Sequence, residues 1–373
     1  MQFGTSRFLL AHVDYFLSES LAAGHRGSRI VIVQGSNREA GRHKARNIAA
    51  HPVYPVHFRG VRDGVTYDHR VEVSSVETCL SATDDWNEIT ERFIGAIDTV
   101  VSNVGEEGYL MPQADSPLAT VPQSFPARLT RLLWHRYVNG LTGVTLMPCE
   151  LVNANGRVLH EHIGVIAKSY YEDPNFNEWL DTECLWVDTL VDRIVSQTIE
   201  PVGAVAEPYG LWAIKDAPGL VLPCTHDDVK LVADLREFEW RKLHILNASH
   251  SWLVETWRTR GSPANVRFVR EMMTKAEYRQ PLEEMLRDEV VPVLSDKLPV
   301  QSLHDYVDAV LERFENPFLD HALMDISAHH AEKINRRLVP VHRMGKEQGC
   351  PTPLIDAVLR SSGQIKYAQV DAV

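Results

Sequence analysis

The sequence predicts an α/β first domain built on a mostly parallel sheet, followed by a mostly α-helical second domain. Three observations carry this. Strand and helix signals alternate along the first part of the chain, strand signals nearly vanish beyond Asp234, and 373 residues exceed what one hydrophobic core usually serves. The expected division is 1–232 and 233–373, with no flexible linker between them.

Residues 7–21 cluster Phe8, Ala11, His12, Tyr15 and Phe16 on one helical face, predicting a single helix. The run 28–33 is short, apolar and β-branched, as a strand covered on both faces requires, and 99–101 and 143–147 read the same way. In the second part the segments 240–256, 266–276, 282–291, 303–314 and 319–338 are amphipathic at helical spacing. Pro281, Pro292, Pro299 and Pro317 are expected to mark the boundaries between helices.

Composition narrows the function. Lys and Arg total 38 against 50 Asp and Glu, a net charge of −12, which argues against nucleic acid or an anionic membrane as partner. The five cysteines (Cys79, Cys149, Cys184, Cys224 and Cys350) are widely spaced with no CxxC pair, so neither a disulfide framework nor a cysteine zinc site is expected. No apolar stretch approaches the ~20 residues that span a bilayer, and the first residues lack a signal-sequence pattern. A cytoplasmic protein, monomeric or a small homo-oligomer, is the expectation.

The segment Phe3-Gly4-Thr5-Ser6-Arg7-Phe8 falls where the first strand-to-helix turn of a dinucleotide fold would lie. There a tight turn, a close backbone approach to pyrophosphate and a helix N-terminus are needed. Only the first glycine of that pattern is present; the same residues also fit a glycine turn into an ordinary helix. After Val33 the chain reads Gln34-Gly35-Ser36-Asn37-Arg38, without the acid that often bonds the ribose hydroxyls of NAD. Arg38, Arg42 and Lys44 suit the extra phosphate of NADP, so the choice between the two stays open.

The most informative stretch holds Lys242, Asn247 and His250. On a helix Asn247 and His250 lie about 60° apart, one turn from each other. Lys242 joins them best if it sits just before the helix or in its first turn. Oxidising an alcohol needs a base for the hydroxyl proton, and a desolvated lysine can serve. A neutral amide can stabilise the developing alkoxide, and a histidine can fix a substrate hydroxyl. A surface lysine, a capping asparagine and a satisfied histidine would give the same spacing.

Lys242-x-x-x-x-Asn247-x-x-His250 resembles the signature of the polyol-specific long-chain dehydrogenases, the mannitol dehydrogenase family. Further similar segments follow in the family's order. They are Gln2-Phe3-Gly4 with Arg7-Phe8-Leu9 and Val13-Asp14, the run 124–133, Pro148-Cys149-Glu150-Leu151 with Asn155-Gly156, the run 190–194, the run 311–318, and Lys333. The Cys149-Glu150-Leu151 form, in place of the Cys-Asp-Asn of mannitol dehydrogenases, is similar to the tagaturonate reductase (altronate oxidoreductase) branch. The chain is shorter than those reductases and its loops look trimmed.

The resemblance implies a Rossmann-like dinucleotide-binding domain over 1–232 and a helical substrate domain over 233–373. It implies Lys242 as general base, Asn247 at the carbonyl or alkoxide, and substrate contacts at His250, Arg313, Lys333 and Asp192. Cofactor contacts are expected at Gly4, Ser6, Arg7, Phe8, Gln34, Ser36 and Asn103, with NAD as cofactor and NADP as the alternative. The expected reaction interconverts a secondary alcohol and a ketone on an open-chain C6 polyol or aldonate, without metal. His160 with His162 and His329 with His330, the only close histidine clusters, lack metal-ligand spacing. None of the 11 tyrosines is followed four residues later by lysine, which excludes the short-chain dehydrogenase pair. The competing class is a non-catalytic sensor that binds NAD or a sugar acid.

Overall fold

The computed structural model describes residues 1–25 and 27–365. The end of the expected helical domain, 366–373, lies outside the described residues. The chain forms two compact units. One comprises Met1–Phe58, His69–Ala206 and Gly210–Leu235; the other takes Arg59–Asp68, Glu207–Tyr209 and the chain from Arg236 onward.

The first unit is organised on six parallel strands: Gln2–Phe3, Ile30–Gln34, Val76–Ser81, Thr99–Ser102, Thr145–Pro148 and Leu185–Trp186. Across the sheet they lie third, second, first, fourth, fifth, sixth. That is the doubly wound order, with a crevice outside the strand ends where the order reverses. Ile30–Gln34 is buried at every residue, as a strand covered on both faces must be. The helix Phe125–Val138 follows from local chemistry: Ser124 Oγ accepts from the Ala127 amide, and Pro126 sits in the first turn.

Residues 7–21 do not form one helix. Arg7–Leu10 and Val13–Ala22 are separate, broken at His12 with φ −127° and ψ −83°. The break frees carbonyls that a continuous helix would use internally. Leu10 O accepts from the Tyr54 hydroxyl and Ala11 O from the Arg193 guanidinium. His12 still lies between Phe8, on which it stacks, and Phe16, which it meets edge-on, ring centroids 4.6 and 4.7 Å away, so the aromatic face read from the sequence survives. Two smaller sheets were not anticipated. One orders Val195–Thr198, Ala204–Ala206, Tyr54–Arg62 and Val65–Val73; the other orders Val229–Val232, Leu211–Lys215 and Thr189–Asp192.

From Arg236 onward the described part of the second unit is helical around one apolar core. In Val300–Glu315 the buried residues Leu303, Val307, Val310, Leu311 and Phe314 recur at helical spacing, as the sequence predicts. Two prolines behave differently from the expectation. Pro281 lies inside the helix Ala276–Glu284, and Pro292 lies in Val291–Leu294, which continues that helix through a π-helical turn, Met285–Val290. The wide turn just ahead of Pro292 gives its ring room against the preceding carbonyls, so the run bends without stopping.

Candidate active site

At the ends of the first and fourth strands of the parallel sheet, where the order reverses, several expected cofactor residues converge. Gly4 has φ +121°, and a Cβ there would lie 2.7 Å from Asn103 O, so only glycine lets the two loops approach this closely. Ser6 caps the short helix, accepting from the Leu9 amide at 3.2 Å, and donates to Asn103 Oδ1 at 3.2 Å. Asn103 Nδ2 in turn donates to Cys149 O at 2.9 Å. Arg7 is exposed in the first turn, while Phe8 packs on His12. Gln34 ends the second strand with its Oε1 buried and without a hydrogen-bond partner among the described residues. Ser36 Oγ accepts from the Arg38 amide at 3.2 Å. The loop after Ser102 is fixed from below by Glu150. Its carboxylate accepts from Ser102 Oγ, the Val104 amide and the Tyr109 hydroxyl at 2.9–3.0 Å, while burial pushes its pKa up. Reversed strand order, a glycine-only approach and an orphaned acceptor together fit a dinucleotide.

The lysine, amide and histidine lie in the second unit, on a helical run over 236–259. Lys242 lies neither just before this helical run nor in its first turn, the two placements expected to suit the trio best. Arg236–Arg241 precedes it as α-helix, Lys242–Asn247 is a π-helical turn, and Ala248–Thr259 resumes the α-helix. The π turn solves the geometric problem in another way. In an unbroken α-helix a five-residue step would put Lys242 and Asn247 about 140° apart. Bonding from i to i+5 closes the turn over those five residues, bringing Asn247 back toward the face of Lys242. His250 follows one α-turn later, about 60° round. The Asn247 side-chain amide is half-buried and has no protein partner among the described residues.

His250 is 6% exposed, packs against Phe314 and His321 with ring centroids 4.5 and 4.7 Å away, and keeps Nε2 buried without a hydrogen-bond partner among the described residues. Burial lowers its pKa well below the usual histidine value. His321, Arg337, Arg313 and Lys333 push it further in the same direction. The imidazole is therefore neutral, beside the basic side chains of Arg337, Arg313 and Lys333.

Those three side chains differ. Arg313 donates through Nε and Nη2 to both carboxylate oxygens of Glu207, at 3.0 and 2.7 Å, and lies over the Tyr209 ring. Arg313 is 4% exposed and Glu207 1%, so this is a buried bidentate ion pair. Lys333 is half-buried; its ammonium donates to Ile326 O at 2.9 Å, and no carboxylate among the described residues is within ion-pair distance. Burial, then Arg337, lowers its pKa. Arg337, which the sequence reading missed, donates from Nη1 to Asn247 O at 3.2 Å and to Ser251 Oγ at 3.0 Å. Its own carbonyl lies 2.9 Å from His244 Nδ1. Asp192 ends the strand Thr189–Asp192 in the first unit, buried and opposite Leu211.

Three of the four clustered histidines have structural partners. His160 Nε2 is 2.7 Å from Asp181 and its ring stacks on Trp186; His162 Nδ1 is 3.2 Å from Tyr109 O. His330 Nε2 meets the buried Glu255 at 2.9 Å, and His329 adopts the left-handed conformation that starts the helix His330–Arg337. Among the described residues no three His, Cys, Asp or Glu side chains gather as a metal-binding group, and no helix is long and apolar enough to cross a membrane.

Residues 1–221 match the mannitol dehydrogenase Rossmann domain, and 234–371 the mannitol dehydrogenase C-terminal domain. The altronate oxidoreductase of Halalkalibacterium halodurans is 30% identical over 362 residues, covering 91% of this chain and 69% of that protein. That of Bacillus subtilis is 26% identical over 372 residues, covering 93% and 75%. The fold is similar to a D-sorbitol dehydrogenase solved without substrate, with a TM-score of 0.83 at 20% identity over 97% of this chain and 79% of that one. It is also similar to the Pseudomonas fluorescens mannitol 2-dehydrogenase ternary complex with NAD and D-mannitol, with a TM-score of 0.79 at 20% identity over 97% and 78%. Matched in both of its domains, and by a relative aligned along nearly all of its length, the chain belongs to the mannitol dehydrogenase family and is an oxidoreductase acting on CH–OH groups.

Proposed function

We propose that the protein interconverts a secondary alcohol and a ketone on an open-chain hexonate of the altronate kind, using NAD and no metal, with Lys242 as general base. Residues 1–232 serve as the cofactor domain and 233–373 as the substrate domain. The single observation that carries the substrate class is Lys333. A half-buried ammonium whose only partner among the described residues is a carbonyl favours an anionic group nearby, whereas Arg313 is already neutralised by Glu207. The altronate oxidoreductases among the relatives support the same reading.

NAD when bound supplies the hydride acceptor. On the substrate side the neutral Lys242 amine takes the hydroxyl proton as the carbon–oxygen double bond forms. The Asn247 amide, with no partner among the described residues, donates to that oxygen and lowers the energy of the developing alkoxide. His250, held neutral, bonds an adjacent hydroxyl through Nε2 without adding a further positive charge. Lys333 pairs with the distant carboxylate. Arg313, paired with Glu207, serves as an internal support and not as the substrate anchor. On the cofactor side Arg42 and Arg46 share Glu39, at 3.1 and 2.6 Å, which supports NAD over a cofactor bearing another phosphate.

The test is a spectrophotometric panel at 340 nm. Purified protein with NAD is offered D-altronate, other hexonates, hexitols and simple alcohols. Turnover on D-altronate above the hexitols is expected. Activity confined to simple alcohols would reject the substrate class, and a kcat/KM tenfold higher with NADP would reject the cofactor.

A further inference from the structure

We propose that His244 and Arg337 are positioning residues that form a two-way clamp on the π-helical turn, and so set the alignment of Lys242 with Asn247. The inference rests on Lys242 as the base. Its starting point is that a π turn has a weaker hydrogen-bond ladder than the α-helix on either side, and such turns persist where other groups hold them. Here two groups reach it from a segment about ninety residues away. The helix His330–Arg337 ends at the turn. A carbonyl at a helix C-terminus has no partner within its helix, and that of Arg337 is taken by His244 Nδ1 at 2.9 Å. Because a carbonyl only accepts, the proton must lie on Nδ1, which fixes the tautomer. In the opposite direction the Arg337 guanidinium donates to the carbonyl of Asn247, the last residue of the π turn, at 3.2 Å. The same nitrogen reaches the Ser251 hydroxyl, four residues on, at 3.0 Å.

The π turn thus gives one hydrogen bond to the backbone at Arg337, and Arg337 returns one to the backbone of the turn at Asn247. The two contacts bracket the second half of the turn, at positions 244 and 247. His244 is 5% exposed and is kept neutral chiefly by burial, so its role is that of a donor and not of a charge. The clamp also ties the turn to Lys333, which lies one helical turn before Arg337 on the same face. If the turn relaxed to regular α-helix, Asn247 would swing about 80° or more away from the face of Lys242. A misplacement of that size removes the amide from the reacting oxygen while leaving Lys242 itself intact.

The test uses the full chain with D-altronate and NAD and four variants. His244→Leu removes the donor, whereas His244→Asn keeps a nitrogen donor where Nδ1 stood; Arg337→Met and Arg337→Lys form the matching pair. His244→Leu and Arg337→Met are expected to lower kcat at least about tenfold, with the NAD dissociation constant changed less than about twofold. His244→Asn and Arg337→Lys should recover most of the loss. The double variant His244→Leu/Arg337→Met should be no worse than the poorer single one, because both act through one turn. Thermal unfolding of each variant separates misfolding from misalignment: a folded His244→Asn with restored kcat is a result that a merely structural role does not give. Equal kcat in His244→Leu, His244→Asn and the wild type, with Lys242→Ala inactive, would overturn the clamp while leaving the base assignment standing. Wild-type turnover in Lys242→Ala would instead bring down the base assignment, whatever the clamp variants do.

Discussion

The buried pair Arg313–Glu207 separates stability from substrate binding. Both side chains are nearly inaccessible, and both carboxylate oxygens accept from the guanidinium, so Arg313→Ala leaves a carboxylate buried without its partner. Breaking such a pair from one side costs about 3–5 kcal/mol. The Tyr209 ring against the guanidinium adds a contact that is lost at the same time. Removing both charges in a size-matched way, as Arg313→Met with Glu207→Gln, should return most of that loss, because no buried charge is then left exposed to the apolar interior. Urea unfolding followed by tryptophan fluorescence reads these differences, since Trp240, Trp252 and Trp257 lie in the second unit. At temperatures where Arg313→Ala remains folded, its kcat/KM on D-altronate and on the neutral polyol altritol should fall by similar factors. A stability loss under about 1 kcal/mol, combined with a selective collapse on altronate, would show Arg313 to be the carboxylate anchor and refute this assignment.

Lys333→Met keeps the apolar stem and removes the charge; a lost hydrogen bond to a charged group, about 1.5–3 kcal/mol, predicts a roughly 10- to 150-fold drop in kcat/KM on D-altronate. The drop on altritol should be within about threefold, and equal drops would eliminate the ion-pair role. Prolonged chelation and dialysis should leave activity unchanged; a loss restored by zinc would contradict the lysine mechanism. Asp14 is fully buried, accepts from the Tyr54 hydroxyl at 2.8 Å, and burial raises its pKa to about 7 from 3.8. The folded state therefore holds this proton more tightly than the unfolded chain, and stability declines as pH rises from about 4 to 7, then levels off. Asp14→Asn should gain on the wild type across that window in urea titrations at several pH values, and a pH-independent difference would show that Asp14 is not titrating there.

Much of the architecture was legible because it follows from local periodicity. Ile30–Gln34 and Thr99–Ser102 announced themselves as apolar runs, and Leu303 to Phe314 as a helical stripe. The hairpin strand Tyr54–Arg62 was legible in principle, since Tyr54, Val56 and Phe58 alternate with less buried residues, but Pro55 and Gly60 masked the pattern. The π turn was not legible. A hydrogen-bond register of five in place of four leaves no signature in residue spacing. What holds it is long-range: Arg337 lies 90 residues from Asn247 and 93 from His244. The partner of Arg313 is likewise 106 residues away, so residue type could not distinguish a substrate anchor from an internal ion pair. The lysine, amide and histidine were singled out by their spacing and family likeness. The reason for a five-residue interval became visible only with the turn that closes over it.

The most direct measurement is the turnover of Lys242→Ala with D-altronate and NAD, made with the dissociation constant for NAD determined on the same preparation. Loss of the general base predicts a fall in kcat of at least ~10²-fold with cofactor binding and unfolding temperature nearly unchanged. A variant that turns over at the wild-type rate, with the same pH profile, would contradict the assignment of Lys242 as the base.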